Sequence, residues 1–202
     1  MKDEEILFYG EYAPKLVEVK SFLQKEVQGM LDSISTDSET ALAEHVKVRI
    51  KSADSLCEKL RRLGLEESAE SGLRNLSDIV GMRVITHFVG DIYTVLEMIT
   101  ACDKWKIVTV KDYIADAKPN GYRSLHVILE VPFDCGGITD IRVEIQLRTI
   151  AMDCWASLEH QLKYKKNIRN TDLIVSELKR CADEMASTDL SMQTIRDLIQ
   201  RG

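Results

Sequence analysis

The sequence predicts an α+β fold: a mixed β-sheet of about five strands flanked by helices, with extra helices at both ends. Three observations predict it. Residues 141–148 alternate strictly, with Ile141, Val143, Ile145 and Leu147 on one side and Arg142, Glu144, Gln146 and Arg148 on the other. The stretch before it also alternates: Arg123, Leu125, Val127, Leu129 and Val131 share one face, and Ser124, His126, Ile128 and Glu130 the other. The connection Pro132–Gly137 is rich in Pro and Gly, so the two stretches read as a hairpin. Towards both ends, apolar residues recur instead at three- and four-residue steps, as helices require.

In chain order, residues 2–12 read as a short helix and a longer one starts at Pro14, a residue suited to a first helical turn. Its stripe is Leu16, Val19, Phe22, Leu23, Val27, Met30, Leu31 and Ile34. Ser33–Thr40 is a polar break. His45–Lys51 alternates as a strand, Val46, Val48 and Ile50 inward and Lys47, Arg49 and Lys51 outward. A helix over Ser52–Leu63 ends at Gly64, and Glu66–Asn75 reads as a loop or irregular helix. Met82–Phe88 is a strand, Gly90–Asp91 opens a helix to Cys102, and Trp105–Tyr113 is a further strand. A helix over Thr149–Lys166 carries Met152, Trp155, Leu158 and Leu162 at core spacing. Asn170/Thr171 and Ser187/Thr188 are candidate caps of two final helices, whose apolar stripes are also expected in the core. No internal repeat or low-complexity linker interrupts this. The chain reads as one domain: N-terminal helices in 1–40, a core over 45–166, and C-terminal helices in 171–202.

Composition narrows the class. Apolar residues at 45 % and charged residues at 30 % are ordinary for a globular protein. A net charge of −6 means that no overall field draws the molecule to nucleic acid or anionic membrane. Any polyanion site is therefore local, and 47–62 supplies one: Lys47, Arg49, Lys51, Lys59, Arg61 and Arg62 against Asp54 and Glu58. The cysteines Cys57, Cys102, Cys135, Cys154 and Cys181 are odd in number and form no C-x-x-C pair, which predicts free thiols in a reducing cytoplasm. The acidic start MKDEEILFYGEY lacks a signal-peptide core, and no stretch is long and apolar enough for a membrane span.

Polar residues gather on one face of three strands: Arg49 and Lys51, then Arg83, then Glu144, Gln146 and Arg148, with Asp78 just ahead of the Arg83 strand. Basic residues beside two isolated carboxylates suit a nucleotide with Mg2+. Phosphates take Arg and Lys, magnesium takes one or two carboxylates and keeps most of its water, and a carboxylate can remove a proton from an attacking hydroxyl. Other phosphate and metal motifs fail. There is no G-x-x-x-x-G-K-[ST] and no G-x-G-x-x-G. Glu159-His160 lacks the second His of a zinc helix, and His45, His87, His126 and His160 have no ligand spacing. Gly136-Gly137 with Asp140 resembles the start of a polymerase-β-type signature, but the gap is too short and the second carboxylate is missing.

Five motifs occur in order: Arg49-x-Lys51-Ser52-x-x-Ser55, Asp78-Ile-Val-Gly81-x-Arg83, Lys118-Pro-Asn-Gly-Tyr-Arg-Ser-Leu-His126, Glu144-Ile-Gln-Leu-Arg-Thr149 and Trp155-Ala-x-x-Glu159-His160. Over residues 45–166 the chain resembles the synthetase domain of the RelA/SpoT family. With no separate hydrolase domain and no long regulatory tail, it is similar to the small single-domain alarmone synthetases. The resemblance implies a nucleotidyltransferase-like sheet and a pyrophosphate transfer from ATP to the 3′-hydroxyl of GDP or GTP, leaving AMP. It implies Asp78 as a Mg2+ ligand, and Glu144 as the group that orients or deprotonates the hydroxyl and helps bind the metal. Arg49 and Arg83 would flank the adenine, and Lys51, Ser55, Lys59 and Arg62 would bind the ATP phosphates. Tyr122 would stack on guanine through its ring, the hydroxyl being dispensable, with Lys118, His126 and Gln146 serving the acceptor. Arg123 and Arg148 fit either the site or a bracing role, and His87 is read as structural. A homotetramer through the terminal helices and an RNA regulator are further expectations from the resemblance. Two other readings stay open from the sequence: the same scaffold acting on an adenine nucleotide or a tRNA 3′ end, and a nucleotide- or RNA-binding module without catalysis.

Overall fold

The computed structural model describes residues 3–34, 41–163 and 171–201. A five-stranded sheet runs in the order β1-β2-β5-β4-β3, from β1 (Ala43–Ile50), β2 (Val80–Thr86), β3 (Lys106–Asp112), β4 (Leu125–Cys135) and β5 (Ile138–Thr149). Only β2 and β5 pair in parallel; β1–β2, β4–β5 and β3–β4 are antiparallel. The helices are α1 (Asp3–Tyr9), α2 (Tyr12–Ile34), α3 (Ala53–Arg62), α4 (Ala69–Asn75), α5 (Val89–Ala101), α6 (Ile150–Lys163) and α7 (Thr171–Arg201). The mixed sheet with flanking and terminal helices is the predicted class.

The apolar face carries Val48, Val80, Met82, Val84, Leu125, Val127, Leu129, Val143, Ile145 and Leu147, packed into one core with Leu16, Val19, Leu23 and Val27 of α2 and Ile92, Val95 and Ile99 of α5. Burying a single such side chain contributes about 1.5–3 kcal/mol, which is what makes period-two alternation decide the register. A slip of one residue on β5 would put Glu144 and Gln146 in that core.

Local chemistry sets the boundaries. Ser52 caps α3 by accepting from Ser55 N, Ser68 does the same for α4 through Ser71 N, and the Asp91 carboxylate accepts from Phe88 N at the start of α5. The stretch Glu66–Asn75, expected as a loop or irregular helix, is a short loop followed by the capped helix α4, and α2 begins at Tyr12 rather than Pro14. The hairpin is also tighter than predicted. β4 continues past Pro132, with a bulge before Cys135, which pairs with Ile138. The two-residue turn uses positive φ at Gly136 (56°) and Gly137 (73°), as a type I′ turn demands.

The C-terminal end differs most from expectation. Instead of two capped helices, α7 runs unbroken through Ser187 and Thr188, because Thr188 donates to Glu184 O and Ser191 to Ser187 O inside the helix. Asn170, residues 164–166 of the predicted Thr149–Lys166 helix and residues 35–40 of the polar break lie outside the described residues. Met152 and Trp155 are buried as predicted, but Leu158 and Leu162 are exposed, as are Leu173, Leu190, Ile195, Leu198 and Ile199. These stripes do not enter the core of this chain.

Candidate active site

The site follows from cross-strand register. One row across the sheet reads Arg49–Gly81–Glu144–Ile128, and the next reads Lys47–Arg83–Gln146–His126–Lys111. Both point away from the core. In the first row, Gly81 has no side chain, and a Cβ built there meets nothing within 4 Å. The space above it is a cavity of about 150 Å³ lined by Lys47, Arg49, Asp78, Gly81, Met82, Arg83, Glu144 and Gln146. Four strand-borne cations and amides thus share a cleft with two carboxylates. Lys47 was not among the residues expected at the site, although its place two residues before Arg49 puts it on the same face.

Asp78 precedes β2, and both its oxygens are engaged: Lys51 Nζ donates to Oδ2 and Lys59 Nζ to Oδ1, each at 2.8 Å. Burial pushes this carboxyl up, but the bonds from Lys51 and Lys59 outweigh it and hold it below its ordinary range. Lys51 leaves the end of β1 and Lys59 comes from α3, so the strand–helix junction wraps the carboxylate. Ser55 sits in the first turn of α3, its hydroxyl against Ser52 Oγ at 2.9 Å. Arg62 lies in the exposed last turn of α3 and, like Lys51, Ser55 and Lys59, is not among the cavity-lining residues.

Glu144 belongs to a closed ring of hydrogen bonds. Arg148 Nη2 donates to the Tyr122 hydroxyl and to Gln146 Oε1, both at 2.8 Å. Gln146 Nε2 donates to Glu144 Oε2 at 2.7 Å. On the other arm the Tyr122 hydroxyl lies 2.8 Å from His126 Nε2, and His126 Nδ1 lies 3.1 Å from Glu144 Oε1. Arg148 can only donate. With the imidazole proton on Nδ1, the Tyr122 hydroxyl donates to Nε2 and the His126 Nδ1–H faces Glu144. Both arms deliver donors to one carboxylate. Burial raises the Glu144 carboxyl and Asp78 adds to that, but His126, followed by Gln146, lowers it more, so the net position is below the ordinary value. An ionised carboxylate held by two donors beside a phosphate-sized cleft is equipped to take a proton.

Arg148 is therefore a hub and not a mere brace. Its side chain is 5 % exposed, and its Nη1 donates to Asp153 Oδ1 at 2.9 Å. The same oxygen lies 3.0 Å from Arg83 Nη1. Asp153, in the first turn of α6, so links the Arg83 side of the cleft to the Glu144 ring. Burial and the neighbouring Arg148 lower the Arg83 pKa, with Asp153 opposing them. No sequence motif singled out Asp153.

Tyr122 follows the turn Lys118–Gly121, where Gly121 N donates to Lys118 O at 2.8 Å and Asn120 Oδ1 accepts from Tyr122 N. Its ring is half-buried, edge-on to Tyr113 and His126, with Lys118 Nζ 4.8 Å over its face. Lys118, Tyr122 and His126, the residues expected to serve the acceptor, thus form one cluster, joined to the cavity through Glu144 and Gln146. The Tyr122 hydroxyl, expected to be dispensable, closes the ring. Arg123 points elsewhere, to Asp183 and Ala182 O of α7. His87, read as structural, lies within hydrogen-bond distance of Ala41 O and Glu44 Oε2.

Mg2+ fits this donor set. No group of three or more His, Cys, Asp or Glu side chains among the described residues makes a closed cage, and magnesium with nucleotide uses one or two carboxylates and phosphate oxygens instead. No helix among the described residues is long and apolar enough to cross a membrane, and all five cysteines are unpaired.

Residues 48–169 match a family model described as a region found in RelA / SpoT proteins. The chain is 43 % identical over 154 residues to GTP pyrophosphokinase YwaC of Bacillus subtilis, covering 76 % of this chain and 73 % of that one. It is 32 % identical over 179 residues to GTP pyrophosphokinase YjbM of the same organism, covering 88 % and 83 %. The structure is similar to the crystal structure of small alarmone synthetase 1 from Bacillus subtilis bound to its product pppGpp, with a TM-score of 0.82, 30 % identity and 96 % of each chain covered.

Proposed function

The chain belongs to the RelA/SpoT family, and from that premise we infer that it is a (p)ppGpp synthetase, moving pyrophosphate from ATP to the 3′-hydroxyl of GDP or GTP. The observation that carries the assignment to this cleft is the placement of Glu144. It is ionised, held by two donors, and on the cavity wall near Asp78. In our reading Glu144 receives the proton as the 3′-oxygen bonds to the β-phosphorus of ATP. The bond from that phosphorus to the α-phosphate oxygen breaks, and AMP departs with its electron pair.

The remaining side chains bind and orient. Arg49 and Arg83 stand on adjoining strands at the cavity wall, where flat guanidiniums can hold the adenine between them. Lys51, Lys59 and Ser55 face the donor phosphates from the β1–α3 junction, and Lys47 adds charge from the cavity wall. Arg62 enters only at the outer end of that patch. Tyr122 supplies a stacking ring for guanine and Lys118 its flexible cation, the ammonium leaving the ring face for the acceptor phosphates. His126 and Gln146 act mainly by holding Glu144. Asp78 and Glu144 would hold Mg2+, which when bound supplies positive charge to the donor phosphates. For Lys51 and Lys59 this means trading Asp78 for phosphate oxygens.

We further propose a homotetramer assembled through the terminal helices, supported by the exposed Leu173, Leu190, Leu198 and Ile199 of α7. A cytoplasmic site of action is supported by the unpaired cysteines. For an RNA regulator the support is the resemblance alone. The test is to incubate the protein with labelled ATP, Mg2+ and either GDP, GTP or a second adenine nucleotide, and to separate the products. AMP together with guanosine tetra- or pentaphosphate is expected; transfer to the adenine acceptor alone would overturn the assignment.

A further inference from the structure

One buried phenol takes no part in this account. Tyr9, the last residue of α1, is 1 % exposed, and its hydroxyl donates to Lys51 O at 2.7 Å across 42 residues of sequence. A phenyl ring would fill the same apolar space, and a buried hydroxyl without a partner would cost about 1–3 kcal/mol. The hydroxyl is thus matched to that carbonyl.

The carbonyl it reaches sits at a junction. β1 ends at Ile50 and Ser52 is the cap of α3, whose first helical acceptor is Ser52 O, bonded by Leu56 N at 2.9 Å. Lys51 O therefore falls between ladder and helix. On its other side the Lys51 N–H donates to Ile79 O at 2.7 Å, next to Asp78. The Lys51 backbone is tied at both ends, once to the segment that carries Asp78 into β2 and once to α1. From that root the side chain, 11 % exposed, reaches the Asp78 carboxylate. Burial, with Glu5 and Asp78 nearby, pushes the Tyr9 pKa up, so the hydroxyl stays a neutral donor. Elsewhere on α1, Ile6 and Leu7 are exposed.

We propose that Tyr9 is a positioning residue for the donor nucleotide: its hydroxyl fixes the Lys51 backbone, and thereby where the Lys51 ammonium meets the ATP phosphates. The proposal rests on the reading of Lys51 and Asp78 as the donor-phosphate side of the cleft. It predicts an effect on one substrate alone, because Tyr122, Lys118 and His126 lie on strands and loops that Tyr9 does not touch.

The experiment is a double-mutant cycle read by calorimetry with Mg2+, using a non-hydrolysable ATP analogue and, separately, GDP. The variants are Tyr9→Phe, Lys51→Met and the pair. Tyr9→Phe keeps the ring and should weaken the ATP analogue about 3- to 10-fold, the worth of one hydrogen bond, with GDP affinity unchanged. On the Lys51→Met background the same substitution should have no further effect on the analogue. Equal losses for both nucleotides, no loss for either, or full additivity with Lys51→Met would each overturn the proposal. Wild-type turnover of ATP with GDP is measured alongside. A wild type that binds both nucleotides but makes no alarmone sinks the functional reading, while the binding cycle still decides the role of Tyr9.

Discussion

Tyr122 separates two tasks that a single aromatic residue usually blends. Its ring is the proposed stacking surface, and its hydroxyl is a link between Arg148 and His126, at 2.8 Å to each. Tyr122→Phe removes the link only. Arg148, 5 % exposed at its side chain, then loses a charge-assisted bond in a place where water cannot replace it. Such bonds are worth about 1.5–3 kcal/mol. The His126 ring also loses the partner that orients Nδ1 towards Glu144. A displaced general base forfeits part of the roughly 10²–10⁴-fold that proton removal contributes, so kcat should fall at least about 10-fold. GDP affinity should change less than about threefold, because the ring remains. Tyr122→Ala should add a stacking loss of about 1–3 kcal/mol per base, or roughly 5- to 150-fold in GDP affinity. The assay is kcat from AMP release and Kd for GDP and an ATP analogue by calorimetry, on both variants. A Tyr122→Phe enzyme with wild-type kcat would show that the ring of hydrogen bonds does not position Glu144. A Tyr122→Ala protein that binds GDP normally would remove the residue from the acceptor site.

Further outcomes follow from the same geometry. Glu144→Gln should fold normally and lose about 10²–10⁴-fold in turnover, and near wild-type turnover would discard Glu144 as the base. Asp78→Asn should lose at least as much and also lower Tm, since Lys51 and Lys59 then face each other without the counter-charge that both share; an unchanged Tm and rate at saturating Mg2+ would refute this. The Glu144 carboxyl lies below its ordinary value because His126 and Gln146 outweigh burial. Its ionised form therefore persists to lower pH than that of an ordinary glutamate. His126→Ala leaves burial less opposed, so the acid limb of kcat should move upward in pH. A limb that stays in place, measured from pH 4.5 to 8, would contradict the assignment. Leu198→Glu with Ile199→Glu, both on the outer side of α7, should shift the light-scattering mass towards the monomer, and a wild-type chain already monomeric at micromolar concentration would end the tetramer proposal.

Much of the site was legible because its residues obey a local rule. Arg49, Arg83, Glu144 and Gln146 each sit at the polar phase of an alternating strand, and alternation is a property of neighbouring residues. What could not be read is register. That Gly81 falls between Arg49 and Glu144, opening the cavity, depends on β2 pairing in parallel with β5 some sixty residues away. Asp153 was invisible for a similar reason: its meaning lies in two guanidiniums, on β2 and β5, that reach one oxygen. Arg148 was ambiguous because a buried arginine braces a fold and organises a site by the same bonds. The helical stripes misled in the other direction. Period 3.6 reports an apolar face but not what covers it, and for Leu158, Leu162 and most of the α7 stripe the sheet does not. Ser187/Thr188 read as a cap because their hydroxyls can serve a helix start, yet the Thr188 hydroxyl is satisfied one turn back within a continuous helix, where Ser187 O in turn accepts from Ser191.

The inner side of α7 explains why assembly must be tested by point substitutions and not by truncation. Arg123 Nη2 lies 2.9 Å from Asp183 Oδ1, and Trp155 Nε1 donates to Leu178 O at 2.8 Å. Thr149, directly after the hub Arg148, donates to Asp189 Oδ2 at 2.6 Å, and Gly90 N at the head of α5 donates to Gln193 Oε1 at 2.9 Å. Gly121 passes so close that a Cβ on it would stand 2.6 Å from Ala182 Cβ. The helix is thus the wall against which the Tyr122 loop is built. Removing 171–202 would strip apolar surface from the proposed subunit contact and, in the same cut, take away the α7 partners of Arg123, Thr149 and Trp155. A truncated chain that lost both assembly and GDP binding would say nothing about which loss caused the other. Leu198 and Ile199 face outward and make none of these bonds, so charges placed there act on the outer surface while the inner wall, and the acceptor loop it supports, stay in place.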